Sequence, residues 1–91
     1  MKRQLVFRAE ELDLDLHVVS TGARWIISGQ VLGSDEEGRA ELQGETGRLI
    51  VTTPLNDLRQ FTLPPVAAGI YILIVQLNDT VIEIPRLEIG T

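Results

Sequence analysis

The sequence predicts an all-β protein, a small antiparallel β-sandwich of about seven to nine short strands. Three observations lead there. Apolar residues recur with period two in stretch after stretch, as where Leu12, Leu14, Leu16 and Val18 alternate with Asp13, Asp15, His17 and Val19. Turn residues interrupt the chain at intervals of roughly 8–12 residues. No segment carries the repeat of an amphipathic helix. The chain has 91 residues, 44% hydrophobic and 23% charged, which is the composition of one folded domain spanning residues 1–91. A domain of this size buries only about 60–65% of the surface its unfolded chain exposes, so each apolar residue matters.

The elements follow in order. Leu12–Val18 reads as a half-buried strand, and Ser20-Thr21-Gly22 supplies its turn. In Trp25–Leu32 one parity holds Trp25, Ile27, Gly29 and Val31, the other Ile26, Ser28, Gln30 and Leu32. Gly33–Gly38 is a polar loop bounded by glycines, expected at a hairpin tip, and a short strand with Ala40 and Leu42 inward comes next. Gly44–Gly47 reads as a tight turn whose two glycines supply the positive φ that hairpins favour. Arg48–Thr53 is a strand ended by Pro54, and Leu55–Gln60 is either an irregular connection or one helical turn. Gln60–Leu63 is a short strand with Phe61 and Leu63 on one parity. Pro64-Pro65 lacks two backbone donors and ends any ladder there. Gly69 launches a long strand, Ile70–Leu77, and Asn78-Asp79, both tolerant of positive φ, make a two-residue hairpin into Thr80–Ile84. Pro85 breaks that strand, and Arg86–Gly90 resumes after a bulge or runs on as an edge.

Several of these pieces together resemble the transthyretin-like, carboxypeptidase regulatory-like family of β-sandwich modules. Ile27-Ser28-Gly29-Gln30-Val31 is similar to that family's I-x-G-x-V strand, and Ala40-Glu41-Leu42 to its small-residue strand. Phe61-Thr62-Leu63 and Gly69-Ile70-Tyr71-Ile72-Leu73 are similar to its final two segments. The likeness covers Trp25 to Leu77. Gln60 stands where the family prefers Gly, and Pro64–Ala68 lengthens the approach to the tyrosine strand, so an unusual crossing between those strands is expected. The resemblance implies an immunoglobulin-like or transthyretin-like sandwich serving binding or scaffolding rather than catalysis. Physically, a Tyr at a strand start packs its ring inside and leaves its hydroxyl at the rim.

Charge narrows the function classes. Eight basic against thirteen acidic residues give a net charge of −5, and the arginines are scattered, which disfavours nucleic acid and anionic membranes as partners. No run approaches the ~20 apolar residues of a membrane-spanning helix. The N-terminal stretch lacks the apolar core of a signal peptide and the chain has no cysteine, so the expected location is cytoplasmic.

Chemistry-bearing residues are few. Asp13, Asp15 and His17 share one strand face, but same-face neighbours lie nearly 7 Å apart, too far for a straight strand to bring three ligands onto one ion. A solvated polar face is the expectation, with no metal and no cofactor. Ser34–Gly38 lacks the alternating oxygen ligands of a calcium loop. Asn78-Asp79-Thr80 fits a glycosylation sequon, yet Asn has a conformational reason to stand in that turn. With one His, one Lys and no Cys, no nucleophile–base pair is in view, and no catalytic residue is assigned.

The sharpest signal is Ile70–Leu77, apolar on both parities except at Gln76. Tyr71, Leu73, Val75 and Leu77 form one parity, and Ile70, Ile72 and Ile74 the other. One set must line the core. The other is either covered, by Leu5-Val6-Phe7 or by Leu87 and Ile89, or it is a protein interface at Ile70, Ile72 and Ile74. The reading adopted is a non-catalytic protein-interaction module, part of a bacterial intracellular regulatory complex or the terminal module of a larger regulator, with a protein partner or a second copy bound. The alternative is a structural or ligand-presenting accessory module from an extracellular or envelope protein.

Overall fold

Residues 2–9 and 11–90 are described by a computed structural model. Eight strands build two four-stranded antiparallel sheets stacked as a small β-sandwich, and no helix occurs among the described residues. Sheet A has the order β1 (Lys2–Ala9), β2 (Leu12–Ser20), β3 (Trp25–Leu32), β6 (Gln60–Thr62). Sheet B has the order β5 (Leu49–Pro54), β4 (Gly38–Gly44), β7 (Gly69–Leu77), β8 (Val81–Ile89). The chain passes between sheets three times, after β3, β5 and β6. The β1 and β8 edges are tied on one flank by Arg3, whose Nη2 donates to the Glu88 carbonyl at 2.7 Å. On the other flank β5 and β6 meet.

Alternation decides which side chains enter the space between the sheets. Leu14, Leu16 and Val18 of β2, Ile27 and Val31 of β3, and Leu42 of β4 are buried there. So are Leu73, Val75 and Leu77 of β7 and Ile82, Ile84, Leu87 and Ile89 of β8. No polar or charged described residue is buried, so apolar burial is the main force that holds the two sheets face to face, with the Arg3 tie at one flank.

Gly29 has a packing reason. It pairs with Leu16 on one side and Phe61 on the other, and the Phe61 ring lies over it. A Cβ there would stand 2.6 Å from Phe61 Cζ and 2.8 Å from Leu16 Cδ2. Tyr71 places its ring in the core and its hydroxyl at the rim, donating to the Ala67 carbonyl at 2.6 Å.

Several local expectations change. The N-terminal segment forms β1, a full strand that the sequence reading does not assign. Its alternation is blurred, because Arg3 shares the inward parity of Leu5, Phe7 and Ala9 while Val6 points out. Pro85 does not end its strand. β8 is an edge, where a missing N–H costs nothing, and a register shift lets Pro85 and Arg86 both face out between inward Ile84 and Leu87. Asn78-Asp79 is the two-residue loop, closed by Leu77 N donating to Thr80 O at 2.8 Å, but neither residue takes a positive φ. At Gly44–Gly47 only Gly47 does, at +89°.

Leu55–Gln60 is an irregular turn rather than a helical one. Asn56 Oδ1 accepts from the backbone N–H of both Leu58 and Gln60 at 2.9 Å, and Arg59 adopts φ +61°. Ser34–Glu37 crosses between sheets instead of capping a hairpin, because β3 and β4 lie in different sheets. Glu36 there reaches the β7–β8 turn and accepts from Asp79 N–H at 2.9 Å. Pro64–Ala68 forms the third crossing, stitched to the start of β3 by two 2.8 Å bonds between Trp25 and Val66. Trp25 itself is only half-buried, at the end of the sandwich.

Candidate protein-interaction face

Ile70, Ile72 and Ile74 lie on the outer face of sheet B, opposite the core side chains of the same strand. Neither segment invoked to cover them does so. Leu5 and Phe7 belong to β1 in the other sheet, and Leu87 and Ile89 are in the core from β8. All eight strands are used in the two sheets, so no strand overlies this face.

Register builds the surroundings. Ile74 lies between Glu41 of β4 and Glu83 of β8; Ile72 is opposite Gln43, and Ile70 opposite Glu88. The next row is Pro54, Arg39, Gln76 and Val81. Successive isoleucines are about 7 Å apart, which makes a stripe some 14 Å long. They are half-buried, and their direct cross-strand neighbours are these long polar side chains. Those side chains are ordered among themselves. Gln43 Nε2 donates to Glu41 Oε2 at 2.6 Å, and Arg39 Nη2 to Gln76 Oε1 at 2.8 Å. Arg86 pairs with Glu88 at 3.3 Å and with Glu45 at 3.9 Å. An aliphatic centre inside a charged rim is the usual anatomy of a protein–protein contact.

The other candidate positions are on the opposite sheet. Asp13, Asp15 and His17 project from the outer face of β2, each engaged by a neighbour. Arg8 Nε is 3.2 Å from Asp13, Gln4 Nε2 donates to Asp15 Oδ1 at 2.9 Å, and His17 Nε2 is 3.5 Å from Asp15 Oδ2. No cluster of three or more metal-ligating side chains occurs among the described residues. Asp15 and His17 border a shallow polar hollow of about 290 Å³, completed by Ser28, Gln30, Gln60 and Thr62. A second open hollow, of about 400 Å³, lies at the end of the sandwich beside Leu58 and Arg59.

Comparisons with family models, with curated proteins and with solved structures return no match. The sequence located the isoleucines but not the acids beside them. Glu41, Glu83 and Glu88 have the right parity, yet only strand register shows that they flank Ile70 and Ile74.

Proposed function

We propose that this chain is a non-catalytic protein-interaction module of the transthyretin-like kind, serving a bacterial intracellular regulatory complex through the outer face of sheet B. One observation carries the reading: the central strand of that sheet presents Ile70, Ile72 and Ile74 outward in a row, rimmed by charged residues and overlain by no strand. Fully burying an isoleucine stabilises by about 1.5–3 kcal/mol, and at most about a third of that remains to be gained at each of these partly covered positions, so three in a row supply a modest attraction.

The test is capture from the source cell extract with the wild-type domain and with Ile72→Asp as baits, after circular dichroism has shown that both are folded. A partner held by the wild type and lost by the folded variant supports the reading. Equal capture by both sinks it. Should Ile72→Asp not fold, Ile72→Thr keeps the β-branched shape while removing much of the apolar surface, and the same comparison applies.

A further inference from the structure

The four sheet edges of this sandwich are not protected alike. β8 carries Pro85 and a register shift. β6 is three residues long. β5 ends in Pro54, and its pairing with β4 slips between Leu42 and Gln43. Prolines, irregularities, shortness and charged side chains are the devices by which natural sheets keep their edges from recruiting another strand. β1 has only the last, in Lys2, Arg3 and Arg8, and cations deter another basic strand rather than an acidic one. It is eight residues long, free of proline, and pairs with β2 in unbroken register from Lys2↔Val19 to Ala9↔Leu12. Every second residue of such an edge turns its N–H and C=O away from the sheet.

The inward side chains of β1 are also unfinished. Leu5 and Phe7 pack against the core but are only half-buried, whereas the inward residues of β8, the other edge on this flank, are fully buried. Arg3 bridges the same flank, and its Nε is shielded from solvent without a hydrogen-bond partner among the described residues. Beside these, Val6 stands 62% exposed on the outer face.

Charge selects what would fit. Within a chain of net charge −5, the segment Lys2–Ala9 carries Lys2, Arg3 and Arg8 and no acid. Pairing with the β1 of a second copy would bring two segments side by side that each carry three cations and no acid, an unfavourable accumulation of like charge. The one neighbour β1 already has is β2, whose Leu-Asp-Leu-Asp-Leu pattern puts Leu14 and Leu16 into the core while Asp13 and Asp15 meet Arg8 and Gln4. We infer that β1 is a strand-addition edge, and that its occupant is an extended acidic segment of another protein in which aliphatic and acidic residues alternate. The aliphatic side chains complete the cover over Leu5 and Phe7, and the acids meet Lys2 and Arg8. This surface is distinct from the isoleucine face, being at the edge of the other sheet.

The probe is a synthetic octapeptide alternating Asp and Leu, with its Lys-for-Asp counterpart as control, titrated into the intact domain at low salt and followed by amide NMR. The expected result is saturable binding of the acidic peptide alone, with new exchange protection at alternate amides of β1. Lys2→Glu, at an exposed side chain whose cross-strand partner is the uncharged Val19, should leave the fold intact and weaken binding about tenfold, as one attractive exposed charge pair becomes repulsive. Raising the salt should weaken it too. No binding at millimolar peptide, equal binding of the lysine peptide, or protection confined to other strands would overturn the assignment. So would concentration-dependent protection of β1 without any peptide, since that means a second copy takes the edge.

Discussion

At Gly29 a missing side chain is filled by a neighbour's ring. Phe61 rests where a Cβ would be, so Gly29→Ala must displace an aromatic ring that is itself buried. Overpacking of this kind costs about 1–3 kcal/mol. In a domain this size that lowers the melting temperature by about 4–8 °C for each kcal/mol. Gly44 is the control, because its Cβ would meet nothing nearer than 3.8 Å and its φ is not positive. Gly44→Ala should stay within about 0.5 kcal/mol of the wild type. Thermal unfolding of the two variants side by side decides it, and equal shifts would refute the packing account. The sequence marked Gly29 through the Ile-x-Gly-x-Val spacing. It did not show that Phe61, far along the chain, supplies the reason, because cross-strand partners are set by register.

The strand as a unit explains what was readable and what was not. β2 and β3 sit where their alternation places them, since a one-residue slip would turn their core side chains to solvent, whereas β7 is apolar on both parities and only the structure shows that Tyr71, Leu73, Val75 and Leu77 are its core side. β1 escaped notice because its two parities are mixed, and the tie from Arg3 to Glu88 that makes an inward arginine tolerable joins the two ends of the chain. In β8 a signal was present: Ile82 and Ile84 share one parity and Leu87 and Ile89 the other, which a single inserted bulge residue reconciles. The Leu55–Gln60 turn had no such signal, because the capping role of Asn56 depends on backbone geometry rather than periodicity. Along β7, consecutive residues should differ sharply in their energetics. Leu73→Ala, at a fully buried position, is expected to cost about 2–5 kcal/mol. Ile72→Ala on the outer face should cost less than half as much. Chemical denaturation of both variants measures the difference, and a larger loss at Ile72 would place that residue, not Leu73, at the packing centre.

For the molecule as a whole, what holds the fold together also sets how it can fail. β7 is an interior strand of sheet B: Ile70–Leu77 contains no charge and no proline, and both of its edges are taken, by β4 and by β8. Stretches with this composition are the ones that stack into cross-β fibrils when laid bare. The native pairing therefore acts as a guard, and β8 is its outer half, placed last in the sheet and bearing Glu83, Pro85 and Glu88 on its exposed positions. A chain cut after Thr80 would uncover one side of β7 and should form thioflavin-binding fibrils under conditions where the complete chain stays clear. Replacing Ile74 by Lys in that shortened chain should suppress them, because a charge in the stacking segment repeats along every layer. In the intact sandwich, then, the hairpin from Ile70 to Ile89 works as a sheath over its own most self-adhesive sequence.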